Sequence, residues 1–137
     1  MIAFNYETSF NLKDEKRLED WISKVILKQK CEEGEINYIF CDDEYLHKLN
    51  VKFLQHDTLT DVISFDNSLG NLISGDVYIS IERVTENAKD YKVSFDEELH
   101  RVMIHGILHY AGLKDKSEQE RFEMRKQEDL ALLLLSN

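Results

Sequence analysis

HGILHYAGLKD, running from His105 to Asp115, is the stretch on which the reading of this chain turns. His105 and His109 are four residues apart, so on an α-helix both imidazoles leave the same face and can converge on one ion. Gly112 follows three residues later, where a left-handed residue can end the helix and swing the chain back toward that face. Asp115, six residues past His109, then comes within reach as a third, anionic ligand. Three protein ligands with one position left open is the pattern of catalytic zinc, whereas structural zinc usually has four. The expectation is one Zn²⁺ per chain on His105, His109 and Asp115.

The residues around this stretch build a helix and its sequel. Leu99, Val102, Met103, Ile104, Ile107 and Leu108 surround the histidine stripe, predicting a helix buried on most sides and an ion set in a dry wall. Ser94 with Glu97 forms a capping box that opens this helix, and Ser117 with Glu120 forms another that opens the last helix just after Asp115. Upstream, Ser80 can cap a helix bearing Ile81, Val84, Ala88 and Tyr91. Thr60 to Phe65 (TDVISF) reads as a strand with Val62 on one face and Ile63 and Phe65 on the other. Asp66 to Gly75 reads as a hairpin loop and Gly75 to Ser80 as the following strand.

The first third adds two more strands and two helices. Ile2 to Glu7 suits a first strand, and Asn11 can cap a helix carrying Leu18, Trp21, Ile22, Val25 and Ile26 at helical spacing, with Gly34 ending that region. Lys24, Lys28 and Lys30 would form a wet face. Ile36, Tyr38 and Phe40 alternate as a second strand, after which Asp42 caps a short helix through Tyr45, Leu46 and Leu49. Four strands among about five helices indicate an α+β fold with the metal helix packed on the sheet.

Composition narrows the class. A chain of 137 residues is ordinarily one domain, here 1–137, able to bury a sizeable core without disulfides. A formal charge of −10 argues against nucleic-acid binding through a broad basic surface, so a polyanionic substrate must be gripped locally. Cys31 and Cys41 have no C-x-x-C spacing, which fits a reduced, cytosolic compartment, and Cys41 at a strand end reads as a small buried hydrophobe. MIAFNYETSF lacks a basic stretch followed by an apolar core, so no secretion signal is expected. Leu130 to Leu135 is too short to span a bilayer; the expectation is a soluble, cytoplasmic protein with no membrane partner. Proline is absent, so turns rest on Gly, Asn, Asp and Ser.

The histidine spacing, with Gly112 after the second, resembles that of the metzincin proteases. The closer resemblance is to the YbeY family of bacterial endoribonucleases, whose HGxLHLxGYDH signature is matched by His105, Gly106, Leu108, His109 and Gly112. A second family block is echoed by Leu49, Asn50, Phe53, Asp57, Thr60, Asp61, Val62, Ser64 and Phe65, and a third by Gly75, Asp76 and Val77. The resemblance implies a mixed four-stranded sheet with helices around a zinc site. It also implies a zinc-dependent, single-strand-specific endoribonuclease in ribosomal RNA processing, at the small-subunit 3′ end, and in ribosome quality control. Implied partners are ribosomal RNA, the small ribosomal subunit, a small-subunit ribosomal protein and an assembly GTPase.

The chain departs from that family at two chemically important positions. The third family histidine is Asp115, which lowers the net charge of a zinc site from +2 to +1 and weakens its pull on a phosphate oxygen. The arginine expected to hold substrate phosphate is Leu54, so a bidentate clamp is lost, and Lys52, Arg101 and Lys114 are the cations nearest the motifs that can replace it. Asp66 stands where a proline often follows the second block. Glu98, two turns upstream of His105, is too far to ligate the same ion; it, Asp61 and Asp76 are the acids available as proton acceptor, and none is singled out. Asp61 serves equally to brace a turn. His47, His56 and His100 have no partner at ligand spacing and read as solvated or capping side chains, with His56, beside the missing arginine, the one to test.

Two other function classes stand beside the nuclease. A metallopeptidase is disfavoured because Gly106 occupies the place of the zincin glutamate. A ribosome-associated binding protein with structural zinc is suggested by Leu54 and the acidic surface.

Overall fold

The structure, a computed structural model, describes residues 1–54 and 60–136. In chain order its elements are β1 (Ile2–Tyr6), α1 (Glu15–Lys28), β2 (Glu32–Cys41), α2 (Asp43–Leu54), β3 (Val62–Asp66), β4 (Leu72–Ser80), α3 (Ile81–Tyr91), α4 (Phe95–Tyr110) and α5 (Glu118–Ser136). The four strands form one sheet in the order β1-β2-β4-β3, with β1, β2 and β4 parallel and β3 antiparallel to β4. This is the α+β architecture with a mixed four-stranded sheet and five helices that the sequence predicts.

Side-chain alternation divides the sheet into two faces. Ile36, Tyr38 and Phe40 of β2 and Ile73, Val77 and Ile79 of β4 are buried and join one core with α1 and α4. The Tyr38 hydroxyl crosses that core to donate to the Met103 carbonyl at 2.9 Å, tying the metal helix to the sheet. On the opposite face Cys41, Leu46 and Ile63 form a smaller cluster beneath α2. α5 closes the outer layer: the Trp21 indole donates to the Ala131 carbonyl at 2.7 Å, and the leucine-rich tail packs on the main core.

Several local expectations change. α1 begins at Glu15 after Asp14, not at a cap on Asn11, because Leu12 is drawn into the core before the helix starts. The chain leaves α1 through Lys30, at φ 61°, and Gly34 lies inside β2. A Cβ on Gly34 would sit 2.1 Å from Ser74 Oγ and 2.7 Å from the Ile73 carbonyl oxygen, so the irregular register between Glu33 and Ile36 demands glycine. β4 starts at Leu72 and not at Gly75, since Ile73 is fully buried and pairs with Glu33. The predicted caps at Asp42, Ser80, Ser94 and Ser117 all accept backbone N–H bonds, at 2.8–3.2 Å. Among the described residues no helix is long and apolar enough to cross a membrane.

Candidate metal centre

α4 ends in a turn that its sequence specifies. Gly112 adopts φ 108°, a conformation side chains rarely take. Its N–H donates to the His109 carbonyl and the Leu113 N–H to the Leu108 carbonyl, both at 3.0 Å, the bond pair of a Schellman motif. The reversal returns Asp115 to the histidine face: its Oδ2 stands 3.2 Å from His109 Nε2 and 3.5 Å from His105 Nε2. One donor atom from each residue lies within 4.8 Å of the others, and among the described residues no other such His/Cys/Asp/Glu group occurs.

The donor set fits a divalent ion in spacing and in orientation. Ligands about 2.0–2.2 Å from a tetrahedral zinc are about 3.3–3.5 Å apart, close to the spacing of Asp115 from both imidazoles. His109 Nδ1–H donates to the Leu113 carbonyl at 3.0 Å, and His105 Nδ1–H to Glu128 Oε2 at 2.6 Å. Both Nε2 atoms therefore face the Asp115 carboxylate, where a cation can stand among the three donors. Burial disfavours a charged His105, but Glu128, Asp115 and Asp61 outweigh it and raise its pKa. The His105 and His109 side chains remain 26% and 33% exposed, so the site opens to solvent and is not the dry wall expected.

A cleft of about 600 Å³ opens beside His105, and Asp61, Tyr91, Glu98 and Arg125 contribute to its walls. Asp61 accepts from Asn87 Nδ2 at 3.3 Å, and burial raises its pKa. Glu98 is only 5% exposed, and burial together with the nearby Asp61 raises its pKa. Asp76, in contrast, alternates with Val77 onto the other face of the sheet, where Asn37 Nδ2 donates to it at 3.0 Å.

The cations offered for phosphate binding separate. Arg101 is committed: its guanidinium bonds Glu128 Oε1 at 3.0 Å and Asp129 Oδ1 at 2.8 Å, with its side chain 11% exposed. Lys52 is exposed and lies over the Phe53 ring, and Lys114 is exposed beside Asp115. His100 is half-buried with its ring edge against Trp21, and burial lowers its pKa. His56 lies outside the described residues. Sequence reasoning missed Glu128 altogether, because 23 residues separate it from His105 and only the docking of α5 brings them together.

The family model described as Endoribonuclease YbeY matches residues 3–136. A Flavobacterium johnsoniae protein named Endoribonuclease YbeY is 63% identical over 94% of this chain and 93% of its own length. One of the same name from Flavobacterium psychrophilum is 61% identical over 98% and 96%. The solution structure of TM1509 from Thermotoga maritima superposes with a TM-score of 0.71 at 26% identity, covering 98% of this chain and 89% of that one. With the family model matching residues 3–136 and relatives at 63% and 61% identity aligned over nearly their full length, the chain belongs to the Endoribonuclease YbeY family.

Proposed function

We propose that this chain, one domain spanning residues 1–137, is a zinc-dependent endoribonuclease that cuts single-stranded RNA during ribosomal RNA processing. The observation that carries the reading is the convergence of His105 Nε2, His109 Nε2 and Asp115 Oδ2, with each Nδ1–H already engaged elsewhere. Zinc bound there supplies Lewis acidity toward a phosphate oxygen and lowers the pKa of a water toward about 7. The chain's own groups hold and orient: the Leu113 carbonyl aims His109, while Asp61 and Glu98 present carboxyl groups to the cleft beside His105.

Position 106 argues against peptidase chemistry. A Cβ on Gly106 would lie against Val77 Cγ2 of β4 at 3.4 Å, so this position faces the sheet. Zincins carry their proton-accepting glutamate here, and Gly106 has no side chain to take that role.

In the cell the substrate is ribosomal RNA near the small-subunit 3′ end, met on the small ribosomal subunit, in the cytoplasm, with a small-subunit ribosomal protein and an assembly GTPase as further contacts. The family resemblance supports this assignment. Purified protein should contain one zinc per chain and cut a single-stranded RNA, and His109→Ala should abolish both. Metal-free protein that cuts equally well would defeat the zinc reading. Co-sedimentation with small-subunit precursors without any cleavage would favour a binding protein.

A further inference from the structure

The two imidazoles of the centre are aimed by different groups. His109 Nδ1–H meets a neutral carbonyl, that of Leu113, in the turn that follows its own helix. His105 Nδ1–H meets a carboxylate on another helix, Glu128 of α5, at the shorter distance of 2.6 Å. Glu128 is 5% exposed, and its other oxygen accepts from Arg101 Nη1 at 3.0 Å. Arg101 lies four residues before His105 on α4, and its second Nη bonds Asp129 at 2.8 Å. The carboxylate is thus gripped by two side chains of α4 across the α4–α5 seam.

We propose that Glu128, anchored by Arg101, is a positioning residue of the metal centre: it fixes the tautomer of His105 and strengthens Nε2 as a ligand. A buried carboxylate left without a partner would be costly, so the Arg101 pair compensates its burial and holds it aimed at His105. A carboxylate acceptor draws on the Nδ1 proton more strongly than a backbone carbonyl does, and so increases electron density at Nε2. His105 is therefore the stronger of the two nitrogen donors. The final helix also becomes part of the centre instead of a lid over the core. This inference rests on reading His105, His109 and Asp115 as metal ligands, but its effect on the tautomer does not.

The test compares wild type, Glu128→Gln and Trp21→Phe. Trp21→Phe removes the indole bond that docks α5 on α1 without touching His105, and so reports what loosening that helix does by itself. In metal-free protein at pH 8, ¹⁵N NMR of the imidazoles should find His105 and His109 as Nδ1–H tautomers in wild type. Glu128→Gln should shift His105 toward the Nε2–H form and leave His109 unchanged, while Trp21→Phe should leave both unchanged. Zinc affinity, measured by competition with a chromophoric chelator, should fall roughly 10–100-fold in Glu128→Gln and stay within about twofold of wild type in Trp21→Phe. An unchanged His105 tautomer in Glu128→Gln overturns the proposal, as does an equal affinity loss in both variants. A wild-type protein that binds no zinc, yet shows the tautomer change, overturns the metal reading and the affinity claim while upholding Glu128 as the group that orients His105.

Discussion

The Leu113 carbonyl oxygen lies 3.0 Å from Nδ1 of His109, so the turn that returns Asp115 to the helix face also orients one of the imidazoles it meets. Both services depend on Gly112, whose φ of 108° makes the reversal possible.

Gly112→Ala tests this dependence. A Cβ at position 112 meets no atom within 4 Å, so the cost is backbone strain alone, about 1–3 kcal/mol. If the turn builds the centre, zinc affinity should fall by more than the loss in a core variant of matched stability. Denaturant titration gives the first quantity and chelator competition the second.

Asp115 should tolerate exchange but not deletion. Asp115→His restores a neutral donor that zinc accepts equally, so metal content and fold should persist. Asp115→Ala removes a ligand outright and should cost more than the about 100-fold that losing an outer partner of a ligand costs. If Asp115→Ala holds zinc as tightly as wild type, the third ligand is wrong.

The sequence made the candidate metal centre legible because its parts are local. Two histidines at helical spacing, a glycine at the helix end and two capping boxes sit within a few turns of one another, and local spacing determines which side chains share a face. Gly34 shows the opposite case: it looked like a helix terminator but serves a close approach to Ser74, a contact created by strand pairing across the sheet. Arg101 likewise looked available for phosphate until α5 brought Glu128 and Asp129 against it. What long-range docking decides, local pattern cannot report.

Glu98 predicts a pH signature. Burial, reinforced by Asp61, raises its pKa despite the nearby Arg101 and Arg125, so the folded chain holds this proton more tightly than the unfolded one. Below the ordinary carboxylate range the group is neutral in both states; as pH rises through the raised value, ionising it in place costs stability. Glu98→Gln removes the titration. Relative to wild type it should gain stability as pH rises above the ordinary carboxylate range, by about 1.4 kcal/mol for each unit of elevation, keep that gain at higher pH, and gain nothing below that range. Urea midpoints for the two proteins across that range decide it, and parallel curves would show that Glu98 does not titrate as described.

Leu54 closes α2 with its side chain 44% exposed, where the family resemblance places an arginine. Its neighbourhood leads toward the metal helix. The Phe53 ring meets Phe65 edge-on at 5.9 Å, and the Phe65 carbonyl accepts from the hydroxyl of Tyr110, the residue after His109, at 3.3 Å. Leu54→Arg adds one cation at the end of α2, where the native side chain is exposed. If single-stranded RNA passes here, the added guanidinium should capture one phosphate, tightening binding at low salt and steepening the slope of log K against log[salt] by about 0.7. A neutral substitution, Leu54→Gln, controls for loss of the apolar side chain and should leave that slope unchanged. An arginine variant with the slope of wild type would place the RNA path elsewhere, with Lys114 beside Asp115 the next cation to examine.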